Sequence, residues 1–156
     1  MVISLIAALA AAAVQPALRP GLEPLGFLVG HCWRGEIKPG QFDTHCFEPV
    51  FGGQHVRDRH KVAGAGSPYE GETLYSWDGA AIAFTYWNSL GGVSRGFVRA
   101  EAGGLNFGEQ SYRGANGERV SIATSWRRVG PDSFEAVVAS AGRPSLDRTT
   151  RFHRID

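Results

Sequence analysis

Residues Tyr69 to Gly92 read YEGETLYSWDGAAIAFTYWNSLGG, two β-rich runs on either side of Asp78-Gly79. An Asp-Gly pair between such runs predicts a tight hairpin. Glycine accepts the positive φ of a type I′ turn freely, and aspartate does so at little cost. A two-residue loop sets Trp77 opposite Ala80, Tyr75 opposite Ile82, Thr73 opposite Phe84 and Gly71 opposite Tyr86. Side chains alternate along a strand, so Thr73, Tyr75, Trp77, Ile82, Phe84 and Tyr86 share one face. That face is a continuous aromatic wall, and something must cover it. The other face carries Glu72, Leu74, Ser76, Ala83, Thr85 and Trp87 and is mixed.

The rest of the chain follows the same rhythm. His31 to Lys38 and Phe42 to Glu48 flank Pro39-Gly40, a natural turn with proline setting φ. Gln54 to Val62 precedes the Asp78-Gly79 hairpin. Gly92 to Arg99, Leu105 to Tyr112, Glu118 to Arg128, Ser133 to Ala139 and Leu146 to Ile155 follow it. Asn116-Gly117 marks a second hairpin turn. The reading is about ten short strands with no helix of crossover length between them, which excludes parallel α/β architectures. The expected fold is all-β: an antiparallel meander closed into a barrel, which removes the edges and puts the aromatic wall around a lumen. Leu22 to Val29 is greasy and ends at Gly30. It predicts a short N-terminal helix, too short to stand alone, that plugs an opening.

The chain divides into an apolar leader (1–14), a proline-containing linker (15–21) and one barrel domain (22–156). Val2 to Val14 is an apolar run with one polar residue, Ser4. It is shorter than the roughly 20 residues of a membrane span and has the length of a signal-peptide apolar region. Ala11-Ala12-Ala13 supplies small residues for cleavage. Export to a periplasmic or secreted location is expected, with no stable membrane span after processing. The net charge of +1 gives no basis for a nucleic-acid partner.

Cys32 and Cys46 lie on the two arms of the Pro39-Gly40 hairpin. They fall opposite each other with a three-residue loop, close enough for a disulfide, and one residue out of step with a two-residue loop. His31-Cys32 and His45-Cys46 are sequence neighbours, so each pair points to opposite faces. None of the five histidines has a recognised metal-ligand spacing, and no metal is expected. Asp58 and His60 share a strand face with Val56 and Val62. They read as a hydrogen-bonded polar pair before they read as a catalytic dyad. His55, Arg57, Arg59 and Lys61 form the solvated face of the same strand. Phosphate-cradle patterns are absent from the sequence.

Leu25 to Glu36, LGFLVGHCWRGE, resembles the L-x-x-L-x-G-x-W-x-G opening of bacterial lipocalin-like domains. Phe51-Gly52-Gly53-Gln54, Tyr69-Glu70-Gly71 and Tyr75-Ser76-Trp77-Asp78 resemble their middle. The likeness spans Leu22 to Asp156 and points to the calycin-like barrels: lipocalins, fatty-acid-binding proteins and nitrobindin-type haem barrels. Gly30 and Trp33 stand one residue further apart than in the lipocalin opening, which implies a bulge. The resemblance implies that Arg151 or Arg154 stacks over Trp33. It also implies His153 as axial ligand if haem is bound. The leading expectation is a non-enzymatic barrel with no cofactor, binding a small apolar or amphipathic molecule. Trp33, Tyr75, Trp77, Phe84 and Tyr86 would line the site, and His60 or Arg95 would add polarity. The alternatives are the haem barrel, a hydrolase-like enzyme using Asp58 and His60, and a self-packed structural module. A wall facing outward would instead make a homodimer or partner surface.

Overall fold

The computed structural model describes residues 16–156; the leader lies outside them. Ten strands follow in order: β1 (Cys32–Lys38), β2 (Gln41–Val50), β3 (His55–Gly64), β4 (Tyr69–Trp77), β5 (Ile82–Asn88), β6 (Val93–Glu101), β7 (Gly104–Arg113), β8 (Arg119–Gly130), β9 (Ser133–Ala141) and β10 (Arg148–Arg154). Each pairs antiparallel with the next, and β1 pairs with β10. The result is the closed meander barrel expected from the spacing of the turns. Among the described residues no helix is long and apolar enough to cross a membrane.

The aromatic wall faces inward. Tyr75, Ile82 and Phe84 are buried, whereas Trp87 on the opposite face is 42% exposed. The hairpin register differs from the expected one by two residues. Trp77 pairs with Ile82, Tyr75 with Phe84 and Thr73 with Tyr86. The loop is four residues long, because the Asp78 carboxylate accepts the backbone N–H of both Ala80 and Ala81 (each 2.9 Å). That bonding draws both alanines into the turn. A slip of two keeps every side chain on its face, where a slip of one would have inverted them all.

Cys32 and Cys46 are directly opposite and form a disulfide. Their alignment comes from a device the sequence reading did not include. Pro39-Gly40 is a two-residue loop pairing Lys38 with Gln41, but the register shifts between Glu36 and Lys38. One extra residue at Ile37 restores the pairing.

One end of the barrel is closed. The expected N-terminal helix is a single 3-10 turn, Glu23–Leu25, with Pro24 as its second residue. Its chain segment does plug the end: Leu22, Leu25 and Leu28 are fully buried. Trp33 donates its indole N–H to the Leu28 carbonyl (3.1 Å). Phe134 stacks on Phe152 (4.9 Å between centroids) and meets the Trp33 ring edge-on (5.4 Å). Residues 17–21 cross this end. Arg19 N–H donates to the Gly53 carbonyl. Gly21 lies so close to the Trp77 ring that a Cβ there would stand 2.3 Å from it.

Candidate functional site

Above the plug the barrel holds a cavity of about 530 Å³. It reaches the surface beside Arg143, Leu146 and Arg148 in the β9–β10 region. One wall is largely apolar, built by Phe107, Val120, Ile122, Trp126, Ala136 and Phe152. The facing wall, from β2 to β5, carries a hydrogen-bonded polar chain.

Strand alternation builds that chain. On β2, Asp43, His45 and Phe47 point inward; on β3, Val56, Asp58, His60 and Val62 do. His45 lies opposite His60 in the ladder, and their rings stack at 4.8 Å. His45 Nδ1 bonds Asp58 Oδ2 (2.8 Å) and its Nε2 bonds Asp43 Oδ2 (3.2 Å). With both ring nitrogens donating to carboxylates, His45 is an imidazolium. Burial opposes that charge, but the carboxylates of Asp58 and Asp43 outweigh it and push the pKa up to about 10. Burial likewise opposes ionisation of Asp43. The two imidazoles overcome it, His45 foremost, and hold the carboxyl well below its usual range. Asp43 Oδ1 also accepts from His60 Nδ1 (3.0 Å). His60 Nε2 meets the Tyr86 hydroxyl (3.2 Å), which in turn bonds Tyr69. Burial raises the pKa of both tyrosines, so they stay protonated. Two buried oxygens on the cavity wall, Asp58 Oδ1 and Thr150 Oγ1, have no hydrogen-bond partner among the described residues.

Of the expected ligand-wall residues, His60, Tyr75, Phe84 and Tyr86 line the cavity. Trp33 and Trp77 do not. Both face inward but belong to the closed end, where the N-terminal segment covers them. Arg95 pairs with Thr85 and points outward, because its neighbours Ser94 and Gly96 take the inner positions on β6. The Asp58–His60 dyad is not formed. Residues two apart on one strand lie side by side, and each bonds across to β2 instead: Asp58 to His45, His60 to Asp43. Arg151 is on the outer surface, paired with Glu135 (2.7 Å), and Arg154 pairs with Asp132 (2.7 Å). Neither stacks over Trp33, whose indole is already inside the plug. His153 is also exposed, since Phe152 takes the inner position, so it cannot ligate a haem in the lumen.

The sequence reading missed Asp43 and His45. A signal for them exists: His45 and His60 are equidistant from the middle of Gly52-Gly53. A hairpin centred on that turn pairs the two histidines and brings Asp43 along on the same face.

No protein-family profile matches the chain, and no curated protein does. Among solved structures it is similar to a designed protein, described as the de novo design of a fluorescence-activating beta barrel. The identity is 16% and the TM-score 0.37, over 80% of this chain and 90% of that one.

Proposed function

We propose that this barrel binds a small amphipathic molecule in its lumen, without chemical turnover. The observation that carries the reading is the cavity of about 530 Å³ with one hydrogen-bonding wall. Small-molecule sites occupy roughly 300–1,000 Å³ and combine an apolar lining with a few placed polar groups. A self-packed module would have filled the space. The ligand's apolar body would lie against Phe84, Phe107 and Trp126, and its polar end against Tyr69, Tyr86 and the orphaned oxygens of Asp58 and Thr150. Two carboxylates face one imidazolium there, so an uncharged or cationic polar end suits the wall better than an anionic one. Every ring nitrogen of His45 and His60 is already bonded within the chain. Neither imidazole is free to act as a general base, which favours binding over histidine-based catalysis.

Export belongs to the same proposal. The Cys32–Cys46 bond supports an oxidising compartment. Sequencing the N-terminus of the mature protein tests it: a chain beginning after the Ala11–Ala13 run is expected, and intact Met1 would contradict it.

The probe for the lumen is N-phenyl-1-naphthylamine, an uncharged fluorescent amphiphile. The chain should bind it saturably, one molecule per chain. Val138 faces the cavity and its neighbour Val137 faces out. Val138→Trp should weaken binding by about tenfold or more, roughly 1.4 kcal/mol, and Val137→Trp should leave it unchanged. Equal affinities for the two variants would place the dye outside the lumen and overturn the reading.

A further inference from the structure

We infer that Asp43, His45 and His60 form a site for one divalent transition-metal ion of the zinc class, open on one side to the lumen. The inference does not rest on an organic ligand being bound, since the ion alone is the probe.

The donors are already gathered. Asp43 Oδ2 lies 3.2 Å from His45 Nε2, and Asp43 Oδ1 lies 3.0 Å from His60 Nδ1. All three ligand groups offer atoms within 4.8 Å of one another. Zinc bonds to nitrogen and oxygen are about 2.0–2.2 Å, so tetrahedral ligands stand roughly 3.3 Å apart. The widest separation, up to 4.8 Å, must close by about 1.5 Å, so turning the stacked His45 and His60 rings toward one another would bring these donors around an ion. Two imidazoles and one carboxylate are a ligand set that suits zinc and its neighbours. Three protein ligands leave a fourth position, and the cavity lies on that side.

The outer partners are also in place. A metal-bound histidine nearly always donates its other ring N–H to a fixed acceptor, which sets the tautomer and the ring orientation. With the ion on His45 Nε2, the Nδ1–H donates to Asp58 Oδ2 at 2.8 Å. With the ion on His60 Nδ1, the Nε2–H donates to the Tyr86 hydroxyl at 3.2 Å. An accidental histidine–carboxylate contact has no need of acceptors on the far side of both rings.

Charge points the same way. Asp58 is 2% exposed and its Oδ1 has no partner among the described residues. One imidazolium between two buried carboxylates leaves negative charge uncompensated in an apolar surround. A divalent ion in place of the shared proton balances both carboxylates. The frame is rigid as well, since all three ligands sit on adjacent strands of a closed barrel.

The test uses untagged full-length protein stripped with a chelator and titrated with zinc against a chromophoric competitor. A parallel titration uses cobalt and reads the visible absorption. One ion per chain is expected, with the intense cobalt bands of four- or five-fold coordination. His45→Ala and His60→Ala should abolish stoichiometric binding. Asp58→Asn should weaken it about 10- to 100-fold, as loss of an outer-shell acceptor does. His31→Ala and His153→Ala, on the outer surface, should change nothing. If the His45 variant does not fold, the cobalt spectrum of the unaltered protein and Asp58→Asn decide alone. No stoichiometric binding, a weak octahedral-type cobalt spectrum, or loss of the site in His31→Ala or His153→Ala would each overturn the inference.

Discussion

Gly71 sets how closely His60 and Tyr86 approach. It lies opposite His60 in the β3–β4 ladder. A Cβ there would stand 2.2 Å from His60 Nε2 and 2.7 Å from the Tyr86 ring. Stacking on His45 limits how far the His60 ring can retreat. Gly71→Ala should therefore cost about 1–3 kcal/mol, as overpacking does, and should shift the His60 imidazole resonances. Glu72→Ala, on the outer face beside it, should stay within about 0.5 kcal/mol in the same denaturant melts. The charge on His45 makes a second residue-level prediction, for chelator-treated protein. Folding raises its pKa from 6.5 to about 10. The stabilisation is thus fully present below pH 6.5 and is lost as pH rises toward 10. Asp43 has the opposite sign: its pKa falls on folding, so its contribution is present above 3.8 and is lost in acid. The denaturant midpoint should decline from pH 6.5 to 10 in the native sequence and should be flatter in His45→Gln. Matching slopes would mean that His45 does not carry the charge. The sequence showed His60 as lumen-facing but not what it bonds. Strand parity was enough for the first; the second needed the register of β2 against β3.

At the scale of elements, the hairpins carry most of what the sequence disclosed. Faces were legible from alternation alone, which is why the wall of Thr73, Tyr75, Ile82, Phe84 and Tyr86 points inward despite a loop of unexpected length. Loop length was less legible, because Asp78 caps two further N–H groups instead of leaving them to the strand. The bulge at Ile37 has no marker in composition, yet it decides that Cys32 meets Cys46. Their disulfide spans a sequence separation of 14. In the chain-entropy account such a loop contributes about 3 kcal/mol. The double variant Cys32→Ser, Cys46→Ser should lose about that much in reversible denaturation. It should also unfold at the same midpoint with or without reductant, while the native protein should not. An unchanged stability on reduction of the native protein would show that the bond is absent in solution.

For the molecule as a whole, closure and plugging define the site. The pairing of β1 with β10 removes the sheet edges. The strap from residue 17 to Leu28 fills one end and takes Trp33 and Trp77 out of the lumen. The sequence marked Leu22 to Val29 as greasy and 15–21 as a linker, but could not say which aromatics the segment would cover. That depends on three-dimensional volume. Leu25→Ala should cost about 2–5 kcal/mol, since the side chain is fully buried in the plug. It should leave the dye affinity of the folded protein unchanged. A fall in affinity at full stability would connect the plug to the lumen. The central claim is that ligand enters the barrel interior, and NMR tests it most directly. Intermolecular nuclear Overhauser effects from bound N-phenyl-1-naphthylamine should reach the rings of Phe84, Phe107 and Trp126 on the cavity wall. They should be absent at Trp87 and Phe97, which are 42% and 56% exposed on the outside. Contacts confined to Trp87 and Phe97 would contradict the account.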